Sequence, residues 1–394
     1  MKLLVLLSRF PFPLDKGDKL RAYHQLRYLA RHHEICLFCL SDEEVSAAAY
    51  AAVRPLCVGG LHVQRLRRPG IARNMAQALL QGLPLQVGYF YDTRVQRRLD
   101  ALIREFQPQH VYCQLIRMAH YVRTYAGRLP MTLDYMDVFS TGMLRRADQS
   151  SWAQSKVYGH EGRSLLAYEA AAFDWFQSHI IISEQDRQLI EHPRREEIRI
   201  VRNGIDTDFF KPRAVPKTYD ILFCGNMSYH PNVDAVEFLA LEILPLVRRT
   251  HPAARLLIAG TTPAPRVLAL ASEAVTVSGW IDDIRDAYAA ARVFVAPMRV
   301  GTGLQNKLLE AMAMELPSVT TPLANNALHG RPGQDLLVGE SAAELADGIS
   351  SLLTNTELAA RLARQGRTFV QEHYNWEVSA NQLESLFEGV KASG

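Results

Sequence analysis

Between Val293 and Thr320 the chain reads VFVAPMRVGTGLQNKLLEAMAMELPSVT, and no other stretch restricts its fold so tightly. β-branched Val293, Val295 and Val319 mark two short strands, while Leu304, Leu308, Leu309 and Met312 recur between them at helical spacing. Gly301, Thr302 and Gly303 separate the first strand from the helix. Glycines there let backbone N–H groups approach a ligand with no Cβ in the way, and the helix that follows adds about half a positive charge at its N-terminus. That is a place to hold an anion. A dinucleotide fingerprint would need a third glycine where Asn306 stands, so that reading is weak. Glu310 can share a face with Asn306 and Lys307, and the pattern alone allows either a ligand-facing or a solvated face.

The same alternation of apolar strands and helices runs through nearly the whole chain. It predicts an α/β protein with parallel sheets covered on both faces. Strands are expected at Lys2–Leu7, Glu34–Leu40, Leu61–Arg65, His110–Cys113, Met131–Asp134, His179–Ile182 and Arg199–Val201. After the Asn203-Gly204 turn and a proline-bearing hinge, further strands are expected at Asp220–Cys224, Arg255–Ile258, Val275–Val277, Val293–Ala296 and Ser318–Thr320. With 394 residues the chain exceeds what one core usually holds, so two domains are expected. No run of about twenty apolar residues exists, and the first strand is too short for a signal sequence, which predicts a cytoplasmic protein.

The five cysteines form no disulfide pattern, and Cys36 and Cys39, three apart on a strand, should point to opposite faces as buried small hydrophobes. Asp206-Thr207-Asp208 spells an acidic metal motif but follows an Asn-Gly turn, so it reads as turn chemistry and no metal is called for. Residues 1–200 carry an excess of about seven basic side chains, including Arg65, Arg67, Arg68, Arg73, Arg94, Arg97, Arg98 and Arg104 around the apolar Ala76–Tyr91. This pattern fits either docking on an anionic lipid surface or ordinary solvated helix faces. Nucleic acid is a poor partner, because no nucleic-acid-binding motif accompanies the charge.

Glu310-Ala311-Met312-Ala313 followed by Pro317-Ser318-Val319 resembles the signature of retaining glycosyltransferases of family 4. Val201-Arg202-Asn203-Gly204-Ile205-Asp206 with Phe209-Phe210 and Pro212 is similar to that family's inter-domain crossover, and Gly225, Gly260 and Gly279-Trp280 fall in the right order. The opening Phe10-Pro11-x-Pro13 and Lys16-Gly17-Asp18-Lys19-x-Arg21 resembles, more narrowly, sugar transferases of bacterial exopolysaccharide and exosortase systems. The resemblance implies the GT-B fold, two Rossmann-like domains facing a cleft. It places an acceptor-side domain at residues 1–205, a nucleotide-sugar domain at 206–373 and a C-terminal helix at 374–394 that packs back on the first domain.

Carried over residue by residue, the resemblance implies that Glu310 accepts hydrogen bonds from ribose hydroxyls. Backbone around Gly301, Gly303 and Leu304 would hold the sugar, and Gly17 and Gly225-Asn226 would line the diphosphate. Trp280 and Ile281 would either wall the base or pack elsewhere. The family's second glutamate is Thr302 here, and its basic pair after the first strand of the second domain is missing, so Arg299 and Lys307 are expected to supply the positive charge. His120 and Asp137 follow strands of the first domain and would stand near the donor sugar and the acceptor. The implied activity is retaining transfer from a nucleotide-sugar to a lipid-linked or glycan acceptor, without cofactor or metal, by a protein peripheral on the inner membrane. A nucleotide-sugar 2-epimerase of the same fold and a non-catalytic nucleotide-sugar-binding scaffold are the alternatives.

Overall fold

A computed structural model describes residues 1–66, 68–148, 150–300 and 304–389. It contains two compact units, Met1–Gly204 with the C-terminal helix from Trp376, and Ile205–Asn375. In the first unit seven strands pair in parallel: β1 (Lys2–Leu7), β2 (Glu34–Ser41), β3 (Gly60–Arg65), β4 (His110–Gln114), β5 (Met131–Asp134), β6 (Ser178–Ile181) and β7 (Arg199–Ile200). In the second, six do so: β8 (Tyr219–Cys224), β9 (Leu256–Ala259), β10 (Val275–Gly279), β11 (Ala291–Ala296), β12 (Ser318–Thr320) and β13 (Leu337–Val338). The sequence pattern misses β13, a two-residue strand too short to carry periodicity.

Spatial order is β3-β2-β1-β4-β5-β6-β7 in the first sheet and β10-β9-β8-β11-β12-β13 in the second. Each runs outward in both directions from an adjacent pair, β1/β4 and β8/β11. Open parallel sheets bind ligands beyond the carboxyl ends of the strands at such a reversal. The α/β class and the Rossmann-like topology of the GT-B fold are therefore as the sequence predicts.

Strand residues are buried on both faces because crossover helices cover each side. Along β1, Leu3, Val5 and Leu7 join one apolar cluster while Leu4 and Leu6 join the other, the two-residue alternation of a strand. Cys36 and Cys39 divide between the same two clusters, and all five cysteines are buried and free. The C-terminal helix Trp376–Gly389 belongs to the first unit. Its Trp376 stacks on His24 at 4.9 Å between ring centroids, and Phe387 lies 4.5 Å from the His110 ring.

One charged cluster is sealed inside the first unit. Arg21, fully buried, donates from Nε to Asp134 Oδ2 at 2.7 Å and from Nη1 to Asn203 Oδ1 at 2.8 Å. Tyr112 Oη lies 2.7 Å from both Gln25 Oε1 and the same Asp134 oxygen, and Asp134 Oδ1 accepts the Met136 N–H at 3.0 Å. Arg21, which belongs to the opening motif with Gly17, directs its charge to Asp134, tying the first helix to β5 and to Asn203 after β7. Removing one partner of such a pair strands the other in low dielectric, at a cost of about 3–5 kcal/mol. Arg21→Ala should accordingly lower the denaturant midpoint of the first unit by an amount corresponding to that cost, and an unchanged midpoint would show that the pair holds nothing together.

Candidate functional site

The second unit carries a cavity of about 490 Å³ at the carboxyl ends of its strands. Gly225 and Asn226 follow β8, Gly260 and Thr261 follow β9, and Trp280 and Ile281 follow β10. Gln305, Asn306, Lys307 and Glu310 come from the helix Asn306–Ala313 and its N-cap, which lies beyond β11. The strand-order reversal at β8/β11 thus puts a helix N-terminus, two glycine turns and the charged side chains of Asp282, Lys307 and Glu310 around one space.

Local geometry explains the glycines. A Cβ on Gly260, at φ +142°, would sit 1.7 Å from the Gly225 carbonyl oxygen, and one on Gly225 would meet Asn232 Nδ2 at 2.7 Å. The two turns pack backbone on backbone, leaving no room for a side chain.

Glu310 and Lys307 are held from behind. Tyr288 Oη donates to Glu310 Oε2 at 2.7 Å and lies 2.8 Å from Cys224 Sγ. Burial pushes both the Tyr288 hydroxyl and the Cys224 thiol up, the thiol to about 12, so both stay protonated and each is available as a donor. Lys307 Nζ donates to Asn232 Oδ1 at 2.6 Å and to Gln305 Oε1 at 3.1 Å, and lies 5.0 Å from the Phe223 ring centroid. Asn232 in turn donates to the Asn226 carbonyl at 2.9 Å. Burial raises the Glu310 carboxyl from 4.5 to about 7, opposed by the Tyr288 hydrogen bond and Lys307; burial lowers the Lys307 amine from 10.5 to about 8. The arrangement offers one aimed carboxylate to accept hydroxyl hydrogen bonds and one aimed ammonium to meet an anion.

Of the residues proposed from sequence, Gly225, Asn226, Trp280, Ile281, Lys307 and Glu310 all line this cavity. Trp280 is 69% exposed, its Nε1 donating to Asp282 at 2.9 Å. Leu304 packs at the edge of the second unit's core. Gly301, Thr302 and Gly303 lie outside the described residues.

Arg299 is not part of the cavity wall. Its fork is engaged by Asp234, at 2.9 and 3.2 Å, with Glu242 at 3.5 Å and the Phe238 ring beneath it at 4.2 Å. The expectation that it neutralises a ligand's charge does not match this placement, because its own carboxylates already do so for it. Asp206 uses its carboxylate to accept the Asp208 and Phe209 N–H groups at 3.1 and 2.9 Å, the geometry of a turn.

In the first unit, Gly17 opens the first helix in free space, His120 lies edge-on to the Tyr91 ring at 4.5 Å with its Nδ1 buried and unpaired, and Asp137 is exposed just beyond β5. Burial lowers the His120 imidazole pKa, which keeps the ring neutral. Sequence reading missed Arg117. Its guanidinium lies over Phe139 at 4.2 Å and donates to Gln86 Oε1 at 2.8 Å, and burial lowers its pKa to about 10. Tyr288 and Cys224 were also missed, since neither sits in a motif and each acts only through a neighbour distant in sequence; Asn232, in the stretch that replaces the family's basic pair, acts by holding Lys307.

Glu310→Gln keeps an acceptor for Tyr288 and removes the charge. Because the folded carboxyl titrates above its unfolded value, wild type carries no penalty near pH 4 and the full penalty above about pH 7. The variant should therefore gain no stability near pH 4, an increasing margin through the interval, and at most about 3 kcal/mol above it. Tm measured against pH for both proteins checks this, and a margin that ignores pH would remove the titration assigned to Glu310.

Residues 218–355 match the family model of glycosyl transferases group 1. An uncharacterised 44.6 kDa protein in the cps region of Klebsiella pneumoniae is 22% identical over 98% of this chain and 99% of its own. The phosphatidyl-myo-inositol mannosyltransferase of Mycobacterium tuberculosis is 30% identical over 49% of this chain and 54% of its own, so the match spans about half of each. Among solved structures, Anabaena HepE in complex with UDP superposes with a TM-score of 0.66 at 13% identity, covering 99% of this chain and 100% of that one. The chain has the GT-B fold, and residues 218–355 of its second unit match the glycosyl transferases group 1 model.

Proposed function

We propose that the protein is a retaining, family 4-type glycosyltransferase that moves a sugar from a nucleotide-sugar to a lipid-linked or glycan acceptor in exopolysaccharide synthesis. The observation that carries this reading is the pairing, on one cavity, of Glu310 braced by Tyr288 with Lys307 braced by Asn232. A carboxylate that accepts two hydroxyls suits a ribose, and an ammonium beside a helix N-terminus suits a diphosphate. UDP in the HepE complex, the mannosyltransferase relative and the cps-region relative support the donor class and the polysaccharide setting.

In this reading Lys307 and the first N–H groups of the helix Asn306–Ala313 stabilise the diphosphate as the bond from its oxygen to the anomeric carbon breaks. An acceptor hydroxyl forms the new bond on the same face, and its proton passes to the leaving phosphate. Positioning and charge stabilisation carry the rate, so neither His120 nor Asp137 has to be a strong base. In this reading His120, neutral and half-buried, serves the donor sugar, and the exposed Asp137 serves the acceptor. No metal takes part, and activity is expected to persist in EDTA. The protein acts on the cytoplasmic face of the inner membrane; among the described residues no helix is long and apolar enough to cross one.

Donor binding needs Glu310 ionised and Lys307 protonated, which sets an optimum between about pH 7 and pH 8. Lys307→Ala should raise the donor dissociation constant about tenfold or more, the loss of ~1.4 kcal/mol. Arg299→Ala should change it less than about twofold, since Asp234 already holds that side chain. A thermal-shift panel of UDP, GDP, ADP and their sugars supplies the ligand, with ~2.7 kcal/mol of stabilisation expected at about 100 times the dissociation constant. If none of them shifts the unfolding of the wild type, the reading fails.

A further inference from the structure

A second polar cavity, of about 660 Å³, lies wholly within the first unit, at the carboxyl end of the edge strand β3. Arg65 from the end of β3, Arg73 from the helix Arg68–Leu80, and Arg94 and Arg98 from the start of the helix Thr93–Phe106 surround it. Asp92 is the one acidic residue among its lining residues. Its carboxylate is already engaged, accepting the Arg94 N–H at 2.7 Å and facing Asn74 Nδ2 at 3.5 Å and Arg73 at 3.8 Å. Arg98 is anchored on Gln64 Oε1 at 2.6 Å. Among the described residues, nothing partners the guanidinium of Arg65 or Arg94.

Two features narrow the occupant. Excess positive charge with free guanidinium forks fits phosphate oxygens. The apolar part of the lining is Val63, Leu66, Ile71 and Val95, with no aromatic face on which a base or a sugar ring could stack. The helix that brings Arg73 to the cavity ends about 10 Å further along its axis in Leu79 and Leu80, which are 51% and 89% exposed. That spacing suits a phosphate held in the cavity while the leucines enter the acyl boundary beside it.

We propose that this arginine cavity is a binding site for the phosphate headgroup of a membrane lipid, and that it docks the first unit on the bilayer through four specific side chains rather than through diffuse charge. It deepens the lipid-linked part of the functional reading and rests on that part alone. Arg97, whose Nε points to the Thr93 carbonyl at 3.4 Å, and Arg104 carry the same charge outside the cavity wall and serve as controls.

The test is sedimentation of the full chain with phosphatidylcholine vesicles that contain either phosphatidic acid or an equal surface charge of oleate, alongside titration with inorganic pyrophosphate. Wild type should pellet with phosphatidic acid more than with oleate. R65Q/R94Q should bind those vesicles about tenfold more weakly, and R97Q/R104Q less than about threefold more weakly. Leu80→Asp, at an exposed position, should weaken vesicle binding and leave pyrophosphate binding intact. Equal losses in the two double variants, equal pelleting on oleate, no pelleting at all, or binding of pyrophosphate without binding of vesicles would each overturn the proposal. No nucleotide is present in this assay, so its outcome is separate from that of the donor panel, in which R65Q/R94Q should respond as wild type does.

Discussion

Parallel pairing is the constraint from which the rest follows. Each parallel neighbour demands a crossover long enough to return the chain to the same end of the sheet, so every strand here except β7, the last of its sheet, is followed by at least one helix. At β8/β11 successive crossovers leave in opposite directions, and the carboxyl ends there stay uncovered. The candidate site occupies that opening, and Gly225 and Gly260 are glycines because two turns leaving adjacent strands must pass within contact distance of each other.

Charge inside the second unit is held at a cost. Burial works against both ionised forms, raising the Glu310 carboxyl and lowering the Lys307 amine, and each needs a neutral brace, Tyr288 for one and Asn232 for the other. A stability-driven core would place no charge there. Two braced, partly compensated charges facing open space are the mark of a site built for a ligand that completes the compensation.

Arg21 and Arg299 show where motif and geometry part company. Both stand in segments that resemble ligand-binding stretches, and both are ion-paired with carboxylates, Asp134 and Asp234, that lie 113 and 65 residues away. Nothing in the local pattern separates an arginine aimed at a phosphate from one locked to a distant aspartate. Arg65 and Arg94 are the converse: the sequence marks them only as part of a basic cluster, and the fold brings them to one cavity with no carboxylate on either guanidinium among the described residues.

The α/β class, the positions of the strands along the chain except β13, the turn at Asn203-Gly204 and the opposite-facing cysteines of β2 are all legible in the chain, because strand and helix periodicity and turn chemistry are local properties. Gly225, Trp280, Lys307 and Glu310 could be named for the same reason, each sitting just past a strand or on the face of a recognisable helix. What the letters do not carry is which charges pair with each other. Only tertiary packing decides that Tyr288 and Cys224 stand behind Glu310, that Asn232 aims Lys307, and that Arg299 turns away, since the energy of a charge depends on neighbours and burial that the chain acquires by folding.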